Sequence, residues 1–362
     1  MIRSRVLVVI VNWNGREFLG DCIRSVKAQN VEGGVRAMVI DNGSTDGSQE
    51  YLAAEFADVE LVVNPVNNYT AANNLGVAGA GEYALLLNTD ATLAPGCLAT
   101  LVAALDSEER AAAAAPRIDF PDGRICTTGI AQRDDLYWID RDQGLANDDR
   151  GQDAQQVLGV SGCCALFRTK AWQQVGGQDE AFHMYYEDVD LALRLRSQGW
   201  RSLYVPAARC VHIGHGSIKK ATTWKDELGE RNRLLVLAAH FPERFARELA
   251  RSPWFQSAVP SQLRELLPLL ARRLAGAGDG EMVSLLLDLV LALRDEIRAL
   301  TGELGAKWGE HRNLPKILGE REDWIATLLE EVARLRLWRL PGRRLKPDEQ
   351  RFLDRVRGSA RP

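Results

Sequence analysis

Apolar positions along the N-terminal part of the chain alternate between two patterns. Val6 to Val11 is a continuous apolar run, as expected of a strand buried on both faces. Asn12, Trp13, Asn14 and Gly15 follow as a turn, and Phe18, Leu19, Cys22, Ile23 and Val26 then fall on one helical face. VRAMVID predicts a second strand ending at Asp41. NGSTDGS is a turn-rich loop in which Ser44 or Asp46 can cap the next helix, SQEYLAAEFA. ELVVNP predicts a third strand, TAANNLGVAGA a helix, and YALLLNTDA a fourth strand ending in Asn88, Thr89 and Asp90. PGCLATLVAALDSE predicts a further helix with Pro95 near its first turn. Strands alternating with helices imply an α/β fold with a mainly parallel central sheet flanked by helices. Ligands of such sheets bind beyond the carboxyl ends of the strands. Asp41 and Asp90 both sit at such ends, so one cleft can hold both.

From Asp119 to Gln156 the pattern dissolves into a polar stretch without a clear period, the character of a functional or disordered loop. VLGVSGCCALFR resumes as a strand interrupted by Gly159 and Gly162, which suits close backbone approach to a ligand. KAWQQVGG reads as a short helix with a glycine stop. The stretch from Met184 to Gly216 is the densest in chemistry. Glu187, Asp188 and Asp190 follow two tyrosines, and His212 and His215 close it. Its centre, LALRLRSQGW, reads two ways. Val189, Leu191, Leu193 and Leu195 alternate as in a strand. The same residues favour helix, and Gly199 sits where a helix C-cap would fall. Helix is preferred, with Glu187 and Asp188 at its N-terminal end, where the dipole favours negative charge. SLYVP and CVHI predict two short strands, which can fold His212 back toward the carboxylates.

Beyond His215 nearly every segment has helical spacing. A boundary near residue 240 divides the α/β part, 1–240, from an α-helical C-terminal region, 241–362. The last 29 residues, from Arg334, hold ten Lys or Arg and three acids, a basic tail.

Composition narrows the classes. The 362 residues suit one large domain or two, and 46% hydrophobic content is ample for a core. A formal net charge of −4 gives no reason to expect nucleic acid. The six cysteines form no CxxC pair and no regular spacing, which points to a reducing compartment, the cytoplasm. The N-terminal apolar run is six residues long with no small-residue cleavage site, so it reads as a first strand and not a signal peptide. No run of about 18 apolar residues exists to span a bilayer.

The candidate chemistry lies at the strand ends. A carboxylate such as Asp41 can accept hydrogen bonds from a nucleobase, with nearby backbone amides approaching a phosphate. Taken alone, it is equally well a turn former. Asp90 can give one oxygen to a hard divalent cation that keeps open positions for phosphate, with Asn88 beside it and His212 adding a nitrogen. Asp188 is the candidate general base. Beside Glu187 and Asp190, like charge and burial would raise its proton affinity toward neutrality.

The ordered set VIVNWNG, DNGSTDGS, AANNLGV, LLLNTDA, VSGCCALFR and MYYEDVDLALRLRSQGWRSLYVPAARCVHIGHGS resembles the family 2 glycosyltransferases of the GT-A fold. Within them it is most similar to bacterial rhamnosyltransferase-like enzymes of cell-envelope polysaccharide assembly. The resemblance spans roughly residues 5 to 240. It implies a nucleotide-sugar site at Val11, Asn12, Asn14, Asp41, Asn42, Ser44, Asn73, Asn74, Asn88, Thr89 and Asp90, with Asp41 reading the base. It implies a cation, Mg²⁺ or Mn²⁺, held by Asp90, His212 and Asn88. Asp188, in a pair with Glu187, takes the catalytic role, and Gly162, Tyr186 and Trp138 meet the acceptor.

Two positions depart from the family pattern. The metal motif reads Asn-Thr-Asp, with one carboxylate, and Tyr69 and Thr70 stand where Gly-Phe is expected. The expected reaction is inverting transfer, most simply of L-rhamnose from dTDP-L-rhamnose, with UDP-hexose or UDP-galactofuranose as the alternative donors. The expected acceptor is a hydroxyl of an envelope glycan, free or lipid-linked. Peripheral contact with the inner face of the membrane through the basic tail, and a homo-oligomer, are further expectations. A nicotinamide dehydrogenase is disfavoured because no GxGxxG follows the first strand. A nucleotidyltransferase would share the nucleotide cleft, but no glycine-rich loop with a catalytic lysine follows the first strand. A non-catalytic nucleotide-sugar-binding scaffold would tolerate loss of Asp90 and Asp188, which are both present.

Overall fold

The computed structural model describes residues 4–146, 154–214 and 222–252, together with 269, 270 and 273. In chain order its elements begin β1 (Val6–Asn12), α1 (Arg16–Lys27), β2 (Val35–Asp41), α2 (Ser48–Glu55), β3 (Glu60–Val63) and α3 (Tyr69–Ala78). β4 (Tyr83–Asn88), β5 (Ala91–Leu93), α4 (Cys97–Ser107), β6 (Ala111–Asp119), β7 (Ile125–Thr127), β8 (Ile130–Gln132) and β9 (Trp138–Asp140) come next. The series closes with β10 (Gln155–Val157), β11 (Cys164–Arg168), α5 (Thr169–Gln174), α6 (Glu187–Ser197), β12 (Arg201–His212), α7 (Thr222–His240) and α8 (Pro242–Arg251). The chain divides into two compact units, Met1–Lys225 and Asp226–Pro362. The division falls inside α7, whereas the boundary read from the sequence falls at that helix's end.

Every position of β1 is buried, so its side chains must serve two cores. Val6, Val8 and Ile10 enter one with Leu19, Cys22, Ile23 and Val26 of α1 and Leu98 and Leu101 of α4. Leu7, Val9 and Val11 enter the other with Ala72 and Val77 of α3, Trp172 of α5, and Leu191 and Leu195 of α6. Each such aliphatic side chain, fully buried, stabilises the fold by about 1.5–3 kcal/mol. Gly76 lets α3 lie directly on β1, since a Cβ there would fall 2.3 Å from Val9 Cγ1. Asn68 caps α3 by accepting from the Ala71 N–H at 3.1 Å.

The main sheet runs β10-β12-β6-β11-β4-β1-β2-β3. β1 pairs in parallel with both β2 and β4, so the strand order reverses direction at β1, the switch point where such sheets bind ligands. β11 runs antiparallel to β4 and to β6, and β12 runs parallel to β6. β1, β2, β3, β4, β6 and β12 therefore share one direction, the mainly parallel sheet expected. Asn12, Asp41, Asn88, Asp119 and His212 end on one edge.

Two local expectations change. SLYVP and CVHI are one strand, β12, with register shifts after Arg201 and Val205. Pro206, which has no N–H to give a ladder, sits in the second irregularity and hides the continuity. The stretch 119–156 holds β7 and the two-stranded β8–β9 sheet, each too short to establish a period. Pro95 stands next to the cap of α4, Gly96, near the first turn as expected. His215 and the basic tail lie outside the described residues. Among those described, no helix is long and apolar enough to cross a membrane.

Candidate active site

The loops after β1 and β2 are tied together by side chains. Asp41 accepts from Asn12 Nδ2 at 2.8 Å, from the Ser44 N–H at 2.9 Å and from Gln49 Nε2 at 2.8 Å. Its residue is 0% exposed. Ser44 Oγ accepts from Asn12 Nδ2 at 3.0 Å and from the Asn14 N–H at 2.9 Å, and Asn14 Oδ1 accepts from the Thr45 N–H at 2.8 Å. Asp46, one step outside the cap of α2, accepts from the Ser48 N–H, so the helix start falls to Asp46 and not Ser44. Asn12, Asn14, Asp41 and Ser44 thus shape the loops from behind. Val11, Trp13 and Asn42 are what these loops show to the cleft.

That cleft has a volume of about 390 Å³ and opens along the edge where the strands end. At one end β4 and β12 bring Asn88, Thr89, Asp90 and His212 to its wall. His212 Nε2 lies 3.1 Å from Asp90 Oδ1, and His212 Nδ1 lies 3.5 Å from Cys126 Sγ. Burial pushes the Cys126 thiol up to about 12, so it stays protonated. Among the described residues no three His, Cys, Asp or Glu converge as a closed metal site. A carboxylate oxygen and an imidazole nitrogen at this separation, with an amide alongside, nevertheless fit a hard divalent cation that completes its shell from a diphosphate and water. With a cation on Nε2 the ring proton would sit on Nδ1, facing Cys126.

At the other end α6 carries the carboxylates. Asp188 Oδ2 accepts from the Gly162 N–H at 3.1 Å and Oδ1 from the Val189 N–H at 2.8 Å. Both carboxyls of the Glu187–Asp188 pair are held above the ordinary range. Burial is the first cause for each; the Asp188 charge adds to it at Glu187, while the Gly162 N–H opposes it at Asp188. Asp140, also on the cleft wall, raises Asp188 further. Glu187 is 5% exposed and its Oε2 is buried with no hydrogen-bond partner. The turn that delivers this pair is strained. His183, Tyr185 and Tyr186 have φ of 60°, 68° and 66°, a region L side chains avoid at about 1–3 kcal/mol each. Tyr186 meets the Trp138 ring edge-on, centroids 6.0 Å apart, and both line the cleft.

The loops after β1 and β2, the Asp90–His212 pair with Asn88 beside it, and the buried Glu187–Asp188 carboxyls thus border one cleft. Residues 4–234 match the family model described as glycosyltransferase like family 2. The chain belongs to this family.

The glycosyltransferase is 31% identical over 261 residues to the N-acetylglucosaminyl-diphospho-decaprenol L-rhamnosyltransferase of Mycobacterium tuberculosis, covering 65% of this chain and 81% of that one. It is 27% identical over 247 residues to the O-antigen biosynthesis protein RfbC of Myxococcus xanthus, covering 65% of this chain but 19% of the relative. Among solved structures it is similar to GalNAc-T7 crystallised with UDP, GalNAc and Mn²⁺, with a TM-score of 0.54 and 17% identity over 74% of this chain and 54% of that one. The fold is the GT-A glycosyltransferase fold.

Of the residues singled out in the sequence, Val11, Asn42, Asn88, Thr89, Asp90, Gly162, Trp138, Tyr186, Glu187, Asp188 and His212 line the glycosyltransferase's cleft. Asn73 and Asn74 do not. Their amides are taken by Gln178 Oε1 at 3.0 Å and the Gln178 carbonyl at 2.8 Å, so they fasten α3 to the segment leading to α6. Tyr69, Asp140, Trp13 and Met184 line the cleft without having been assigned from sequence. Trp13 and Met184 stand inside the motifs already quoted, and Tyr69 lies two residues before AANNLGV. Asp140 lies in the aperiodic stretch and gave no signal.

Proposed function

We propose that the chain is an inverting, cation-dependent glycosyltransferase that moves L-rhamnose from dTDP-L-rhamnose to a hydroxyl of a lipid-linked envelope glycan. The observation that carries the reading is Asp188. Its carboxylate lines the cleft, is fixed by two backbone N–H groups, and has its proton affinity raised by burial. That is what a group needs to take a proton from an alcohol near neutral pH. The similarity to a relative named as an L-rhamnosyltransferase acting on a diphospho-decaprenol acceptor supports the donor sugar and the acceptor class.

In this reading Val11, Asn42 and Thr89 border the nucleotide sugar, while Asn12, Asn14, Asp41 and Ser44 hold the loops that receive the base. Asp90, His212 and Asn88 would hold Mg²⁺ or Mn²⁺, which would neutralise the charge of the departing diphosphate. Trp138, Tyr186 and the Gly162 backbone border the acceptor. Asp188 accepts the acceptor's hydroxyl proton as the oxygen attacks the anomeric carbon from the face opposite the nucleotide. The configuration inverts, and no covalent enzyme intermediate is required. Work at the inner face of the membrane, with the basic tail against anionic lipid, suits a lipid-held acceptor.

The test is transfer by the purified chain onto polyprenyl-diphospho-N-acetylglucosamine from dTDP-L-rhamnose, UDP-glucose and UDP-galactofuranose in parallel. A rhamnosylated product of inverted configuration, lost in excess EDTA and restored by Mn²⁺, is the expected result. Transfer from a UDP sugar alone would replace the donor assignment, and full turnover in EDTA would remove the cation.

A further inference from the structure

Tyr69 and Asn88 each belong to one of the two departures from the family pattern, and the fold puts them in contact. Tyr69, in the first turn of α3, has its hydroxyl 3.0 Å from Asn88 Oδ1 and 3.1 Å from the Gly162 carbonyl oxygen. A phenol carries one proton and cannot satisfy two acceptors at once. At neutral pH a phenol, with an ordinary pKa of about 10, keeps that proton. The Gly162 carbonyl can only accept. An asparagine amide can do either, since a half-turn exchanges its oxygen and nitrogen at nearly the same positions. The arrangement that satisfies all three groups has Tyr69 donating to Gly162 and Asn88 Nδ2 donating to Tyr69. Asn88 Oδ1 then lies on the side away from the phenol. Among the described residues no protein group bonds the amide on that side, and Asn88 lines the cleft with Asp90 and His212.

We propose that Tyr69 is a positioning residue that turns the Asn88 amide so that its oxygen, and not its NH₂, faces the cation end of the cleft. This rests on the cation-dependent reading above. It lets Asn88, Asp90 and His212 present three electron-pair donors from a motif with one carboxylate. An amide left free to rotate would present an N–H₂ to the cation about as readily. The same hydroxyl fixes Gly162, whose N–H holds Asp188, so one phenol spans the site from its cation end to its base.

The test compares the full chain with Tyr69→Phe, Asn88→Asp and the double variant. Mn²⁺ affinity is read by electron paramagnetic resonance with a nucleoside diphosphate present. Loss of an orienting partner typically weakens metal binding about 10–100-fold, and Tyr69→Phe is expected in that range when Asn88 is retained. In the Asn88→Asp background it should change affinity less than about twofold, because a carboxylate has an oxygen on either side and no amide to orient. Equal losses in both backgrounds would overturn the proposal. A second readout needs no metal. In the wild type, the Asn88 side-chain amide protons should show nuclear Overhauser contacts to the Tyr69 ring. Their absence overturns the amide orientation even where Mn²⁺ binds. A wild type that shows the contacts but takes up no Mn²⁺ would instead overturn the cation-dependent reading, and the cation part of this proposal with it.

Discussion

Two adjacent carboxyls in a buried turn make proton affinity the central property of the site at the scale of single residues. Asp188 must be ionised to accept a proton, so turnover should fall as pH drops. Because burial raises Asp188, the midpoint should lie above the ordinary aspartate value of about 3.9. Asp188→Asn should lose about 10²–10⁴-fold in kcat with little change in donor KM. Near-normal turnover there, with collapse in Glu187→Gln, would move the base to Glu187. Glu187 has a separate consequence for stability. A carboxyl raised by folding is neutral in both states at low pH and costs nothing there. Its cost appears as pH climbs from the unfolded value, near 4.3, through the raised folded one. Glu187→Gln removes the charge and should stabilise the fold by about 1–3 kcal/mol at pH 8, the scale of a buried unsatisfied group. The gain should vanish near pH 4, as denaturant melts at the two pH values would show.

At the scale of elements, α6 is held in place by Arg194. Its guanidinium donates to Asp190 Oδ2 at 2.8 Å and to the Val175 and Gly177 carbonyls at 2.7 Å each. Arg194→Met should destabilise by about 3 kcal/mol, because Asp190 is left buried without that charge. The activity per folded molecule should change far less than the stability. If kcat falls as steeply as it does in Asp188→Asn, α6 is positioned more delicately than its packing indicates. The same elements show what the sequence can express. β1 and β4 were legible because a strand buried on both faces leaves an unbroken apolar run ending in a polar residue. α6 was ambiguous because Val189, Leu191, Leu193 and Leu195 alternate as in a strand, while their helix propensity, the Gly199 stop and the Glu187–Asp188 start favoured helix. β9 was hidden because three residues cannot show a period, and Asp140 went with it. Asn73 and Asn74 lay in a recognisable motif, yet nothing local says that their partner is Gln178, more than a hundred positions away.

For the whole molecule, the membrane question turns on the tail, outside the described residues. LEEVARLRLWRLPGRRLKPDEQRFLDRVRGSARP interleaves Leu329, Val332, Leu335, Leu337, Trp338 and Leu340 with arginines. Such a segment can lie in the headgroup boundary, each basic residue contributing roughly 1 kcal/mol near anionic lipid. The full chain is expected to pellet with anionic vesicles at low salt, release at high salt, and stay in solution when cut after Glu331. Equal sedimentation of cut and full chains would assign the tail to packing or to another partner.

β11, the strand that runs against both its neighbours, has a consequence during synthesis. β1 to β4 can assemble once the ribosome has delivered β4, whose Tyr83 pairs with Val6. The free edge of β4, the run YALLL, then waits for Cys164–Arg168, roughly 75 residues later. At ~5–20 residues per second that is about 4–15 s with an apolar strand edge unpaired. An unpaired edge of this kind templates other chains. A nascent fragment ending near residue 120 should therefore associate with itself or be held by a chaperone, and one reaching residue 225 should not. In this glycosyltransferase the vulnerable moment of biogenesis belongs to an edge that the finished protein conceals.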